Sequence, residues 1–499
     1  MTPLALLLVA AFSADRPNFV VVMADDMGWS DLGCTGGEID TPRLDRLRAE
    51  GQLWTAFHNN AKCTTTRASL VTGRYPRYPD SRLPDGVATV AEVLSGAGYA
   101  THLAGKWHLG SAAPNRPGDR GFGTYYGLLD GCCNFFDPAR PDPPFKGGRV
   151  RFFGEKTAET ERRITDFPDG YYTTDAFTDS AVDFIRRSAG RPFFLHLTYT
   201  APHYPLHAPP DLIAKYRGRY AGGWAALREE RHARQIAAGL VDPAWVLPPP
   251  GREVRDWASL TDAERDYQDH LMATYAAMVE RMDAGVGRVL DALDESGVAG
   301  DTLVLFLSDN GGCAEQPGGL DASRTPGVEE HYTAVGPGWA MAQNTPFRRY
   351  KQWCHEGGTT TPLIARLPGT TKPGSHTDAV GHVIDIQPTL LDLAGASMPE
   401  DAPRLEGVSL AAQLRGEPGE ARELYWAWNG SRAVRRGDRK LVRDRGKDRW
   451  ELYDLAQDRT ETRDLAAAAT DEMTELSAAW HEWADRTGVP DRNRLPSTR

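Results

Sequence analysis

The amino-acid sequence predicts an α/β protein with a large, mostly parallel central sheet flanked by helices. Three continuous apolar runs, at residues 18–24, 192–199 and 302–308, are typical of strands that are buried on both faces. Helical patterns lie between these runs, at residues 41–50 and 267–295. Strands that alternate with helices indicate parallel pairing, because parallel neighbours need a crossover connection.

A change in composition near residues 416–419 predicts a second, smaller unit. Four short strand-like segments and one amphipathic helix follow it, at residues 424–428, 432–436, 439–443, 450–455 and 471–487. We therefore divide the chain into a main domain, residues 15–415, and a C-terminal α+β domain with an antiparallel sheet, residues 416–499. Residues 137–154 and 218–257 are rich in proline, glycine and arginine, and are predicted to be surface loops or insertions around the mouth of a site.

The charge and cysteine content exclude several classes of protein. The 499 residues hold 57 Lys+Arg and 68 Asp+Glu, and this net charge of −11 argues against a general nucleic-acid binder. Six cysteines are far too few for a disulfide scaffold. Five of them lack metal-ligand spacing: Cys34, Cys132, Cys133, Cys313 and Cys354. The adjacent Cys132 and Cys133 are predicted to be structural, and a disulfide between distant cysteines stays open.

The N-terminus carries an apolar run that ends at residue 12 and is followed by small residues. This pattern predicts a signal peptide over residues 1–14, although no Lys or Arg precedes the run, and a buried N-terminal strand is the alternative. The run is too short to span a bilayer, and no other stretch is long and apolar enough. We therefore expect a secreted or periplasmic protein without stable membrane insertion.

Acidic side chains follow two of the predicted strands. Asp25 and Asp26 end the first, and Asp309 and Asn310 end another. Ligands of open α/β sheets bind beyond the carboxyl ends of the strands. Three carboxylates and one amide carbonyl are hard oxygen ligands that suit Ca²⁺ or Mg²⁺. A single aspartate after a strand is often only a turn former or a helix cap, but two such sites favour a metal.

A helix N-terminus is predicted at residues 62–73, where a loop enters a helix that ends at Gly73. Cys63 and Arg67 then lie where backbone N–H groups and the helix dipole favour an anion and lower the pKa of a thiol. A buried structural cysteine explains this segment equally well.

Further cationic and imidazole groups are scattered along the chain. Lys106 and His108 share one face if their segment is extended, and His203 directly follows the strand at 192–199. Lys351 lies in a cationic cluster, and His207 either lines a substrate pocket or lies on the surface. In a protein that is acidic overall, these groups together indicate a small anionic substrate.

Taken in order, these motifs resemble those of the type I, formylglycine-dependent sulfatase family. The match runs from about residue 17 to the C-terminus and comprises Asp25-Asp26, Cys63 to Arg67 and on to Gly73, Gly105 to His108, Ser308 to Gly311, and Lys351 with Glu356-Gly357-Gly358. Residues 338–348 and 450–455 are similar to the bacterial arylsulfatase branch in particular. The resemblance implies an alkaline-phosphatase-like sulfatase fold.

The resemblance also implies a mechanism. Cys63 would be oxidised by a formylglycine-generating maturation enzyme to 3-oxoalanine (Cα-formylglycine), and one hydroxyl of the hydrate would attack sulfur and expel the alcohol or phenol. The second hydroxyl would then let the sulfated intermediate collapse. One Ca²⁺ per chain would be held by Asp25, Asp26, Asp309 and Asn310 together with residue 63, and would bind the sulfate group.

The resemblance assigns the remaining catalytic roles residue by residue. Asp309 would also be the base for the attacking hydroxyl, and Arg67 and Lys106 would fix the formylglycine and neutralise the sulfate charge. His203 and Lys351 would protonate the leaving group, and His108 would abstract the proton that collapses the intermediate. Thr65 departs from the family pattern, which has Pro or Ala there, but Arg67 is in register and we expect conversion.

The sequence therefore predicts hydrolysis of sulfate esters, aryl sulfates or sulfated carbohydrates, with release of inorganic sulfate. One alternative is a phosphomonoesterase or phosphodiesterase on the same scaffold, which commonly uses two metals. Few ligands for a second metal are visible here. The other alternative is a non-catalytic protein that binds sulfated glycans with Cys63 unmodified.

Overall fold

The fold is taken from a computed structural model, which describes residues 16–76, 83, 86–188, 190–447 and 449–489. The predicted signal peptide at residues 1–14 lies outside the described residues. Within the described part of the chain, no helix is both long enough and apolar enough to cross a membrane.

An eleven-stranded mixed sheet forms the centre of the molecule. Its strands are β1 (Asn18–Ala24), β2 (Gln52–His58), β3 (Ala100–Gly105), β4 (Thr124–Leu128), β5 (Phe153–Lys156), β6 (Glu161–Ile164), β7 (Phe193–Thr198), β8 (Thr302–Ser308), β9 (Thr360–Arg366), β10 (Ser375–Thr377) and β11 (Gly381–His382). Their order is β10-β2-β9-β8-β1-β7-β3-β4-β5-β6, and β11 also pairs with β2. The central pairs are parallel, whereas β9, β5 and β6 pair antiparallel with their neighbours.

Helices cover both faces of this sheet. They are α1 (Pro42–Glu50), α2 (Cys63–Thr72), α3 (Val90–Gly96), α4 (Thr173–Arg187), α5 (Pro210–Tyr216), α6 (Gly223–Ala237), α7 (Asp262–Glu295), α8 (Pro337–Gln343), α9 (Glu356–Thr359), α10 (Ile386–Ala394) and α11 (Ala411–Leu414). Alternate residues of β1 point to opposite cores: Val20 packs with residues of α4 and α7, and Val21 with residues of α2, α3 and α10. The predicted α/β class, with a mostly parallel sheet flanked by helices, is confirmed.

The three apolar runs of the sequence are the central strands β7, β1 and β8, and every residue of these strands is buried. The long predicted helix is α7, which begins at Asp262 because Thr261 and Glu264 form a capping box. The side-chain oxygen of Thr261 accepts the N–H of Glu264 at 3.2 Å, and the Glu264 carboxylate accepts the N–H of Thr261 at 2.8 Å.

The loop interpretation of residues 218–257 is wrong over part of its length. Residues 223–237, inside the predicted loop 218–257, form α6. The arginine content that suggested an exposed loop belongs in part to buried side chains. Arg231 is fully buried, and its guanidinium lies 2.7 Å from Asp31 and 2.8 Å from Glu38. Residues 137–152 contain only a single short turn of 3₁₀-helix, as expected of a loop, whereas the last two residues of the predicted loop 137–154 begin β5.

The C-terminal region is the predicted antiparallel sheet with one helix. Its strands β12 (Glu423–Trp428), β13 (Ser431–Arg436), β14 (Arg439–Arg443) and β15 (Glu451–Asp454) form a meander, and α12 (Thr470–Thr487) packs on one face through Trp480 and Trp483. The other face packs against the main domain, where the Trp426 indole donates to the carbonyl oxygen of Asn59 at 2.7 Å. The division at residues 415 and 416 stays a prediction.

Candidate active site

The acidic residues meet at the carboxyl ends of the two central strands. β1 and β8 are parallel neighbours, with Ala24 opposite Ser308, so Asp25-Asp26 and Asp309-Asn310 leave the sheet side by side. The backbone N–H of Asp26 donates to Asp309 Oδ1 at 3.2 Å, and Asn310 Nδ2 donates to Asp26 Oδ1 at 2.6 Å. All four side chains are buried.

Two oxygen atoms of this group are free to bind a cation. Asp25 Oδ1 and Asn310 Oδ1 are buried, and neither has a hydrogen-bond partner among the described residues. Ligand atoms of Asp25, Asp26 and His203 also lie within 4.8 Å of one another. Because buried polar atoms are normally paired, two unpartnered oxygens in an acidic cluster fit a hard metal ion.

Cys63 begins α2, directly after Lys62, which is the extended N-cap residue. The side chain is 1 % exposed. The helix ends at Gly73 as predicted, and the φ of 61° at this residue is the left-handed conformation in which glycine commonly ends a helix. Cys63 therefore lies at a buried helix N-terminus, where the dipole favours negative charge.

Arg67, one turn further along α2, joins three of the sequence motifs. Its Nε and Nη2 both donate to Asp309 Oδ2, at 3.0 and 2.8 Å. Its Nη1 donates to the carbonyl oxygen of Lys106 at 2.7 Å. The guanidinium therefore holds Asp309 and the start of the Lys106 segment in one fixed arrangement beside Cys63.

Lys106 follows β3 and points its ammonium at Asp25. Its Nζ lies 2.6 Å from Asp25 Oδ2. Burial raises the pKa of Asp25 above its usual value, although Lys106 acts in the opposite direction. The strands β3 and β7 approach so closely here that the preceding position requires glycine, because a Cβ on Gly105 would lie 1.9 Å from the carbonyl oxygen of Thr198.

Lys351 and His203 lie on the other side of the acidic pair. Lys351 Nζ is 2.8 Å from the Asp26 carboxylate, and His203 Nε2 is 3.4 Å from Asp26 Oδ2. Burial alone would raise the pKa of Asp26, but Lys351 and His203 hold it well below its usual value. Burial lowers the pKa of His203 well below its usual value. The Tyr204 carbonyl oxygen accepts from His203 Nδ1, which leaves Nε2 facing Asp26.

The two predicted histidine placements are revised. The Lys106–His108 segment is not extended, because His108 has a φ of 59°, and its ring packs against Gly131. Burial lowers the pKa of His108 well below its usual value, with Lys106 and Arg67 acting in the same direction. His207 is not on the surface: it is buried, and its Nδ1 accepts the Phe135 N–H at 3.3 Å.

The structure thus joins the predicted acidic residues by direct contacts to four predicted basic side chains, those of Arg67, Lys106, His203 and Lys351. Cys63 and His108 lie near Arg67 and Lys106, whereas His207 packs against Phe136. One further residue was not indicated by the sequence. The Glu315 carboxylate accepts from Tyr204 and Gln352, which are sequence neighbours of His203 and Lys351. No motif marked this glutamate. All six cysteines lie in the described part of the chain and are free thiols, and Cys132 and Cys133 are buried.

Comparisons with known proteins identify the family to which this chain is similar. The sulfatase family model matches residues 17–396, and the N-sulphoglucosamine sulphohydrolase C-terminal model matches residues 348–485. An uncharacterized sulfatase of Schizosaccharomyces pombe is 33% identical over 95% of this chain and 94% of its own. An arylsulfatase of Klebsiella aerogenes is 32% identical over 77% of this chain and 88% of its own.

A solved structure shows the same fold at lower sequence identity. The crystal structure of Ps i-CgsB in complex with k-i-k-neocarrahexaose has a TM-score of 0.70 and 24% identity, covering 97% of this chain and 94% of that one. Five ordered motifs, a matching family model and relatives above 30% identity agree. The chain therefore belongs to the sulfatase family and is a sulfuric ester hydrolase.

Proposed function

We propose that this sulfatase has arylsulfatase-type activity, with Cys63 converted to Cα-formylglycine and one Ca²⁺ bound beside it. The observation that carries the proposal is the buried constellation around Cys63, in which three aspartates face three cationic side chains. These are Asp25, Asp26 and Asp309 against Arg67, Lys106 and Lys351.

Charge supports both the ion and the substrate. When all six groups are ionised their charges cancel, and a doubly charged cation would leave the site positive. A positive, water-poor site favours an anionic sulfate group. Asp25, Asp26, Asp309 and Asn310, together with residue 63, would hold the Ca²⁺, which supplies Lewis-acid polarisation of a sulfate oxygen.

The formylglycine hydrate would supply the nucleophilic hydroxyl and a second hydroxyl for the release of sulfate. Asp309 is the base in the proposal. Its Oδ2 is occupied by two Arg67 donors, whereas its Oδ1 accepts only the weak 3.2 Å bond from Asp26 and retains capacity for a proton. Arg67 and Lys106 neutralise charge on the sulfate group, because both are buried cations at the nucleophile.

Lys351 and His203 act on the leaving group. The Lys351 ammonium has three N–H donors and donates one to Asp26, so another is available for the leaving oxygen. His203 donates its Nδ1–H to the Tyr204 carbonyl, so Nε2 faces the leaving oxygen. Because burial favours the neutral ring, Nε2 would have to take up a proton before it could pass one on, and Lys351 holds the proton that is already present. His108 has a buried, unpartnered Nδ1 and a lowered pKa, which suit a neutral base for the final proton abstraction.

The proposal extends to substrate, partner and location. The substrates are aryl sulfates or sulfated carbohydrates, and the maturation partner is a formylglycine-generating enzyme that accepts Thr65 in the motif. The predicted signal peptide at residues 1–14 directs the protein to the periplasm or outside the cell. Among the residues that the structure describes, a single acidic metal-binding group is found, so nothing there favours the two-metal phosphoesterase.

The experiment that tests the proposal is mass spectrometry of the peptide containing residue 63, from protein made in its native host. Cleavage must avoid Lys62 and Arg67 so that the fragment stays long enough to identify. We expect an aldehyde in place of the thiol, together with faster turnover of 4-nitrophenyl sulfate than of 4-nitrophenyl phosphate. An intact thiol in protein that binds sulfated glycans without releasing sulfate would refute the proposal.

A further inference from the structure

Glu315 contacts three segments that carry residues of the proposed active site. It lies on the segment that follows β8, six residues after Asp309, and its side chain is 29% exposed. Its Oε2 accepts the Tyr204 hydroxyl at 2.6 Å. Its Oε1 accepts from the Gln352 amide and lies 3.8 Å from Lys62 Nζ.

Each partner of Glu315 is the sequence neighbour of a residue in the proposed mechanism. Lys62 precedes Cys63, Tyr204 follows His203, and Gln352 follows Lys351. A shift of such a neighbour would move the mechanistic residue directly, since His203 Nδ1 donates to the carbonyl oxygen of Tyr204 itself. The Gln352 N–H also donates to the Ala61 carbonyl at 2.7 Å, which ties the Lys351 loop to the segment before Cys63.

The charge of Glu315 is stable in this position. Burial alone would raise its pKa, but Lys351, Lys62 and the Tyr204 hydroxyl lower it to about 2. The carboxylate is therefore ionised throughout the neutral range, with both oxygens occupied as acceptors. A glutamine has a single acceptor oxygen and would turn an NH₂ group toward one of these donors.

We propose that Glu315 is a positioning residue for protonation of the leaving group. Through Tyr204 and Gln352 it fixes His203 and Lys351 at the leaving oxygen, while the sulfate-binding side chains Arg67 and Lys106 lie outside its contacts. This inference rests on the proposed function, in which His203 and Lys351 assist departure of the alcohol or phenol. Loss of Glu315 should therefore affect poor leaving groups most, because acidic phenols depart without a proton.

The test is Glu315→Gln, assayed on substituted phenyl sulfates that range from 4-nitrophenyl sulfate to phenyl sulfate. Glu280→Gln is the matched control, because Glu280 also accepts a tyrosine hydroxyl, that of Tyr216 at 2.6 Å, and a lysine, Lys215 at 2.7 Å, and is 21% exposed. The aldehyde content at residue 63 is measured in every preparation, and rates are normalised to it. Thermal denaturation of both variants controls for folding.

For Glu315→Gln we expect kcat/KM on phenyl sulfate to fall about 100-fold, and that on 4-nitrophenyl sulfate by no more than about threefold. Glu280→Gln should leave the dependence on leaving group unchanged. Tyr204→Phe, which removes one of the bonds to Glu315, should steepen that dependence in the same direction and by less.

Equal losses across the series in Glu315→Gln, or no loss at all, would overturn the positioning role while the proposed function stands. A wild-type enzyme that carries the aldehyde but hydrolyses none of the phenyl sulfates would overturn the proposed function and this inference together.

Discussion

Replacing Lys440 with methionine should loosen the C-terminal sheet from the domain that carries the site. Lys440, on β14, is fully buried, and its Nζ lies 2.8 Å from Glu356 and 3.0 Å from Glu461, which are also fully buried. At an effective dielectric constant of 20 each contact is worth about 6 kcal/mol before the cost of desolvation. Methionine keeps the packed stem but leaves two carboxylates without this cation.

We expect Lys440→Met to lower the free energy of unfolding by about 3–5 kcal/mol, the range found when one partner of a buried ion pair is removed. Urea denaturation followed by tryptophan fluorescence would measure it, since Trp426 and Trp480 lie in this region. Lys447→Met is the control: Lys447 Nζ is 2.9 Å from Glu451 but 39% exposed. Its loss should cost less than about 1 kcal/mol.

The stability lost in Lys440→Met should depend on pH in a defined direction. Burial alone would raise the pKa of Glu356, but Lys440, His58 and Arg459 hold it well below the ordinary value of 4.5. A lowered folded-state pKa contributes stability above the unfolded-state value, and that stability is lost as the pH falls. The deficit of Lys440→Met should therefore be full at pH 7 and shrink on acidification through 4.5. A cost equal to that of Lys447→Met, or a deficit that grows on acidification, would refute the reasoning.

Three further predictions concern the site itself. Cys63→Ala should abolish sulfate release while the thermal midpoint changes little, because alanine is a good helix former; near-full activity would contradict the mechanism. Chelation of divalent cations should abolish activity and lower the thermal midpoint. Ca²⁺ added back at 100 times its Kd should restore about 2.7 kcal/mol of the free energy of unfolding. A thermal midpoint that does not change on chelation would count against the ion. Gly105→Ala would bring a Cβ within 1.9 Å of the Thr198 carbonyl oxygen. It should destabilise the protein by about 1–3 kcal/mol, which urea denaturation would measure, and displace Lys106, which a lower kcat would reveal.

Local pattern was enough to predict the centre of the fold. The strands β7, β1 and β8 are mostly apolar and are buried along their whole length because helices cover both faces, and this pattern can be recognised from the local sequence alone. The acids that end β1 and β8 could be placed for the same reason. The N-terminus of α2 and its end at Gly73 follow from short-range chemistry as well.

Features that depend on distant partners were not predictable. The helix α6 escaped detection because Arg231 is neutralised by Asp31 and Glu38, which are some 200 positions away in the chain. The left-handed backbone of His108, whose ring lies against Gly131, was not marked by any sequence motif. Glu315 has no motif of its own, and only tertiary contacts bring Tyr204 and Gln352 to it.

The burial of Cys63 limits when its thiol can be oxidised. The thiol is 1% exposed, and the aspartates around it come from strand ends that are 283 positions apart in the chain. Under the proposed chemistry, a maturation enzyme reaches the thiol only before the central sheet closes. Pairing across so long a separation is slow, and this delay leaves time for oxidation. The active fraction of a preparation would then depend on the rate of modification relative to the rate of folding, and slower synthesis should raise the active fraction.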